Sequence, residues 1–133
     1  MQFSYFSQGQ YSTICIFFKG LFGVLESQAF IGRKRVRTIY LNASEITELG
    51  PRTLNGLVEL EILHLENNLL HSIGTSQFSN LTNLREMYLQ FNKLTFISSE
   101  AFINLNSLQV TIPKGVFAKN EREYSLTLNL IRW

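Results

Sequence analysis

The sequence predicts a solenoid of the α/β type. Stacked near-identical units line up a short parallel β-sheet along a concave side and irregular or 3-10 segments along a convex side. Three observations predict it. Val36–Glu59, Leu60–Asn83 and Leu84–Ser107 align as blocks of 24 residues without a gap. Within each block apolar residues fall at the same places. The ninth place carries Ser44, Asn68 and Asn92.

The elements follow in chain order. Residues 1–11 are polar and aromatic without a period and are expected to be irregular. Residues 12–35 read as a degenerate repeat. Counting back 24 from Val36 puts Ser12 in the first apolar slot, Cys15 and Phe17 in strand slots, Gly20 in the Asn slot and Phe22 in the next apolar one. Leu25 and Phe30 keep the spacing of Leu49 and Leu54. A signal peptide over residues 1–29 is the competing reading, with Ser27-Gln28-Ala29 as a small-x-small cleavage site. Its first ten residues hold no Lys or Arg, and Lys19 interrupts the apolar run, so the repeat is preferred.

Residues 36–107 form the three strong repeats. The first fills its apolar slots with Val36, Ile39, Leu41, Ile46, Leu49, Leu54 and Leu57. The second uses Leu60, Leu63, Leu65, Leu70, Ile73, Phe78 and Leu81. The third uses Leu84, Met87, Leu89, Leu94, Ile97, Phe102 and Leu105. Every slot is filled in a chain that is 45% hydrophobic, and the length and pattern are those of leucine-rich repeats. The L-x-L centre of each block suits a short strand, whose side chains alternate between faces. Asn in the ninth place can bond backbone groups of adjoining turns, so Ser44, Asn68 and Asn92 are the expected structural ladder, with Ser44 its weakest rung. Phe78 and Phe102, with Leu54 before them, are expected to stack on the convex side. Residues 108–133 restart the pattern at Leu108-Gln109-Val110 and break it. Ile112–Phe117 resembles half a repeat, and Leu126, Leu128 and Leu130 alternate as in a strand. About three repeats and polar caps are needed to close such a core, and no cap is evident.

The strand positions that do not point inward form columns across the repeats: Tyr40, His64 and Tyr88; Asn42, Glu66 and Gln90; Thr38, Ile62 and Glu86. Arg37, Glu61 and Arg85 alternate in sign at the strand start and either pair across strands or meet a partner. Tyr and Arg are favoured interface anchors, so Arg37, Tyr40, Glu61, His64, Glu66, Arg85, Tyr88 and Gln90 are the expected partner-binding residues. Phe91 is a further exposed contact candidate. Asn42-Ala43-Ser44 and Asn80-Leu81-Thr82 are glycosylation sequons.

Other function classes find little support. Lysine and arginine total 12 against 10 acidic residues, a net charge of +2, and the charges are interspersed. Arg33, Lys34, Arg35 and Arg37 form a basic patch too short to predict nucleic-acid binding. Cys15 is the single cysteine, expected to act as a small hydrophobe, so no intrachain disulfide or cysteine-based zinc site can form. Glu61-x-x-His64 lacks a third ligand, His71 stands alone in a turn, and no catalytic constellation or phosphate loop is visible. No enzyme activity, cofactor, metal, small-molecule substrate or membrane span is expected.

Over residues 24–110 the chain resembles the extracellular part of Toll receptors, particularly the long insect members. The resemblance rests on Ala29-Phe30-Ile31-Gly32-Arg33-Lys34, Ile39-Tyr40-Leu41-Asn42-Ala43-Ser44, Leu63-His64-Leu65-Glu66-Asn67-Asn68 and Leu84-Arg85-Glu86-Met87-Tyr88-Leu89-Gln90. It implies a horseshoe ectodomain on the extracellular side of the plasma membrane, binding a protein ligand or another receptor ectodomain. Such receptors signal in innate immunity and development through a membrane helix and a cytoplasmic domain. Neither part is in this sequence, nor are the family's cysteine-rich caps. The expectation is therefore a receptor fragment or truncated product, with a stand-alone scaffold or decoy as the alternative.

Overall fold

The computed structural model describes residues 4–8, 13–17, 23–26 and 29–109. Among these, a sheet of five strands forms one side of the molecule: β1 (Ser4–Gln8), β2 (Thr13–Phe17), β4 (Val36–Tyr40), β6 (Ile62–His64) and β8 (Glu86–Tyr88), in the order β1-β2-β4-β6-β8. From β2 onward all neighbours are parallel. The opposite wall carries two separate parallel ladders. One pairs β3 (Val24–Leu25) with β5 (Glu48–Leu49); the other pairs β7 (Ser72–Ile73) with β9 (Phe96–Ile97). No helix occurs among the described residues. This is a leucine-rich-repeat solenoid, as the periodicity predicts.

The apolar template and the core coincide. Of the template residues in the three strong blocks, all are buried except Leu105, which is partly buried against the rest. Leu25 and Phe30 extend the same core upstream. Phe78 and Phe102 stack with ring centroids 5.6 Å apart. Each step of the stack also repeats one backbone bond at the strand entry: Glu61 N–H to Arg37 O, Arg85 N–H to Glu61 O, and Gln109 N–H to Arg85 O, at 2.8, 2.8 and 2.9 Å. The repeat is thus resumed as far as Gln109. Val110 and the segments Ile112–Phe117 and Leu126–Leu130 lie outside the described residues.

The structure departs from the sequence-based expectation in two places. The segment 1–11, expected to be irregular, contains strand β1, antiparallel to β2 with Tyr5 opposite Ile16 and Phe6 opposite Cys15. Aromatic residues suit a pleated sheet, and residues 9–12 are a short enough link for an antiparallel neighbour, which needs no crossover. This hairpin lies on the sheet edge where no cap was evident. Second, the degenerate repeat is shifted by one residue. Ile16, not Cys15, stands opposite Ile39, and Phe17 stands opposite Tyr40, whereas Leu25 meets Leu49 at the full 24-residue offset. One residue is therefore missing between β2 and β3, and a one-residue slip reverses which face each side chain takes. Gly20 and Phe22 fall outside the described residues. The convex side has the expected irregular and 3-10 character. Its turns close through single bonds three residues apart, such as Asn55 N–H to Arg52 O, beside the two ladders.

The turns have a sequence logic of their own. Gly32, Gly56, Asn80 and Asn104, each 24 apart, all adopt a left-handed backbone, with φ of 78°, 86°, 67° and 65°. Glycine and asparagine are the residues that take this conformation at least cost.

Candidate binding surface

The parallel register lays the candidate residues side by side. Thr38, Ile62 and Glu86 are neighbours, as are Tyr40, His64 and Tyr88. The ladder continues past the strands through Ala43 N–H to Glu66 O and Asn67 N–H to Gln90 O, which aligns Asn42, Glu66 and Gln90. These nine positions lie on the side of the sheet away from the core; eight are exposed or half-buried and form the concave surface, and Thr38 is buried.

Beneath the surface, asparagines fasten the repeats together. The Asn68 side-chain oxygen accepts from Ser44 N–H and Ile46 N–H at 3.1 and 3.0 Å. Its amide nitrogen donates to Leu41 O and Leu65 O at 2.8 and 3.0 Å. Asn92 accepts from Leu70 N–H and donates to Leu65 O and Leu89 O. Both side chains are buried, where an unpaired amide would be expensive, so each rung fixes one repeat against its predecessor. In the first repeat the slot holds Ser44, fully buried, whose hydroxyl donates to Asn42 O at 3.2 Å.

On the surface, Tyr40, His64 and Tyr88 form a continuous stack. Ring centroids lie 4.6 and 4.5 Å apart with planes within 14° and 8° of parallel. The spacing is close to that of adjacent strands, so the register itself holds the rings together. His64 Nδ1 lies 3.1 Å from Glu66 Oε1, and the Tyr88 hydroxyl donates to Glu86 Oε2 at 2.6 Å. That hydrogen bond, some burial, and the charges of Glu86 and Glu66 raise the Tyr88 phenol above its ordinary pKa.

At the strand entry, Arg37 reaches Glu61 at 3.4 Å and Glu59 at 3.9 Å. Arg37 and Glu61 thus pair across strands; such exposed pairs contribute little to stability. Glu59 was not visible as a participant, since only a side chain's reach brings it in. Arg85 is exposed and has no ion pair among the described residues. Phe91, beside Gln90, is 67% exposed and has φ of 57°, where Ala43 and Asn67 hold the equivalent left-handed positions. A bulky side chain is disfavoured in that conformation, and a large aromatic gains nothing by exposure.

Of the two sequons, Asn80 is exposed in a left-handed turn, and Asn42 is half-buried on the concave edge. Among the described residues no group of His, Cys, Asp or Glu is arranged to hold a metal ion.

The family model for the leucine-rich repeat matches residues 19–70 and 58–110, most of the chain. The chain belongs to the leucine-rich-repeat family. Among solved structures it is similar to the crystal structure of a TLR13–ssRNA13 complex, with 26% sequence identity and a TM-score of 0.63 over 67% of this chain. It spans 12% of that receptor chain. No curated protein matches the sequence significantly. These repeats therefore resemble a segment of a Toll-like receptor ectodomain, in agreement with the phrases that carry the resemblance in the sequence. Such folds are typically non-catalytic, and among the described residues no helix is long and apolar enough to cross a membrane.

Proposed function

We propose that this leucine-rich-repeat segment binds a protein partner through its concave face, on the extracellular or luminal side of a membrane as in Toll-type receptors. The partner is a protein ligand or another receptor ectodomain. The observation that carries this reading is the stack of Tyr40, His64 and Tyr88 in the middle of the surface, aligned by register and flanked by Arg37, Glu61, Glu66, Arg85 and Gln90. Aromatic residues on a rigid sheet offer contact area at low entropic cost. Phe91 supports the same face, because an exposed aromatic in a strained backbone marks a functional position. The proposed glycan acceptors fit unequally. A glycan on Asn80 leaves the concave face open, whereas one on Asn42 covers its edge.

Site-specific photo-crosslinking tests the assignment. A photoreactive residue is placed at Tyr88 or Asn42 on the concave side, or at Ser72 on the opposite wall, with the chain displayed on cells. Covalent adducts to a discrete protein are expected from Tyr88 and Asn42 and not from Ser72; equal yields from both sides refute the proposal. Phe91→Asn adds a check that separates binding from folding. It relieves the left-handed strain, so melting temperature is expected to hold or rise while adduct yield falls.

A further inference from the structure

We infer that the occupant of the concave face is a cationic protein segment, one that presents arginine or lysine side chains to Glu66 and Glu86 beside the Tyr88 ring. This rests on the reading of the concave face as the binding face and names the chemistry of its partner. Charge is the first argument. The whole chain is net positive, by +2. Yet the nine facing positions, Thr38, Tyr40, Asn42, Ile62, His64, Glu66, Glu86, Tyr88 and Gln90, include two carboxylates and no lysine or arginine. In the neighbouring row Arg85 is exposed and forms no ion pair with either carboxylate among the described residues. Arg37 is held against Glu59 and Glu61, and the ion pairs among the described residues leave Glu86 without a cation. Glu66 and Glu86 instead meet an imidazole and a phenol.

The second argument is unsatisfied acceptors. Glu66 Oε2 and Gln90 Oε1 sit in adjacent positions of one column, and no hydrogen-bond donor reaches either. Buried oxygens of this kind are ordinarily paired. Both oxygens are buried, so a guanidinium or ammonium group, which offers only donors, meets them once these side chains turn outward. The third is the aromatic column itself. Ring faces inside the stack are covered, but its Tyr88 end adjoins both carboxylates, and a cation is attracted to the face of such a ring. The raised phenol pKa of Tyr88 reports the same negative field. A polyanion would meet two carboxylates and no matching cation in the centre of this face.

The test uses the full chain, immobilised, with three probes: a short arginine–serine peptide, its glutamate–serine counterpart, and a single-stranded oligouridylate. The arginine peptide is expected to bind in a salt-sensitive manner, and Glu66→Gln and Glu86→Gln are each expected to weaken it by about tenfold. Glu48→Gln, on the opposite wall, is expected to leave it unchanged. Glu86 is exposed, so its variant keeps the test decisive if Glu66→Gln disturbs folding, which circular dichroism monitors. If the anionic peptide or oligouridylate binds instead, and Tyr88→Ala abolishes that binding, the concave face stands and the cationic inference falls. Arginine-peptide binding unmoved by Glu66→Gln, Glu86→Gln and Tyr88→Ala defeats both. Failure of all three probes to bind overturns the inference.

Discussion

The two long sides of this solenoid are built by different means. On the concave side the three strong repeats join one another by the same backbone bonds: Leu41 N–H to His64 O recurs as Leu65 N–H to Tyr88 O, both at 2.9 Å. On the opposite wall the connection changes at the middle step. Gly50 N–H bonds Leu25 O, and Ser98 N–H bonds Ile73 O, at 2.8 and 2.9 Å. At the middle step the equivalent direct bond is replaced by a side chain. Gly74 N–H donates to Gln77 Oε1 at 2.8 Å, and Gln77 Nε2 donates to Leu49 O at 2.6 Å. The inserted amide separates β5 from β7 and divides the wall into two ladders. The break has a second mark. Thr47 and Thr95 cap Gly23 O and His71 O through their hydroxyls, but the slot between them holds His71, and among the described residues no equivalent bond joins it to Thr47. A uniform side presents aligned columns to a partner; the varied side meets the same polar needs with whatever side chain each repeat supplies.

Asparagine substitutions are the strongest way to break that contrast. Asn68→Ala removes a buried oxygen that serves two backbone N–H groups and a nitrogen that serves two carbonyls. Each buried group left unpaired costs about 1–3 kcal/mol, so a loss of roughly 3 kcal/mol or more is expected in denaturant unfolding. Asn92→Ala orphans fewer donors, since Asn92 accepts from Leu70 N–H alone, and its loss is expected at about 2 kcal/mol. An Asn92 effect larger than that of Asn68 contradicts this ranking. Gln77→Ala tests the wall and should cost less, about 1 kcal/mol or below. With the amide gone, Gly74 N–H and Leu49 O can approach each other as their counterparts do in the flanking steps. Unfolding of Gln77→Ala at denaturant concentrations as low as those for Asn68→Ala means that the wall is as rigidly specified as the sheet.

What the sequence disclosed follows the same division. The apolar period located the core because each template position must point inward in every repeat, and Leu105 alone is less than fully buried. The columns of the concave face were equally legible, since a fixed period and a parallel register leave side chains no other arrangement. The stack of Tyr40, His64 and Tyr88 is an outcome of that register. The wall was not legible. Thr53, Gln77 and Ala101 occupy one column, and nothing in the pattern says that Thr53 caps Leu25 O while Gln77 wedges between two strands. Residues 12–35 misled by one position because a deletion between two strands leaves the apolar count of each half intact. The left-handed turns at Gly32, Gly56, Asn80 and Asn104 were available as a Gly-or-Asn column, which also gives Asn80 a structural role besides its sequon.

The smallest expected effect reads the concave field directly. The Tyr88 phenol donates to Glu86 Oε2 and lies near the Glu66 charge, and both favour the protonated ring. Its pKa in the folded chain is therefore above the ordinary value of about 10. A group whose folded pKa is raised contributes stability below its unfolded pKa and loses that contribution as pH climbs through the folded one. Tyr88 should thus remain neutral at pH values where an ordinary tyrosine has begun to ionise, and its small stabilising share should fade only above them. An ultraviolet difference titration of the chain against Tyr88→Phe isolates this phenol from the other tyrosines. Glu86→Gln keeps a hydrogen-bond acceptor but removes the charge, so the phenol is expected to move back part of the way toward about 10. Glu66→Gln should produce a smaller change in the same direction, because that carboxylate acts only through space. If neither Glu86→Gln nor Glu66→Gln lowers the pKa, the carboxylates are not what gives this face its negative potential, and the regular side of the solenoid loses its preference for a basic partner.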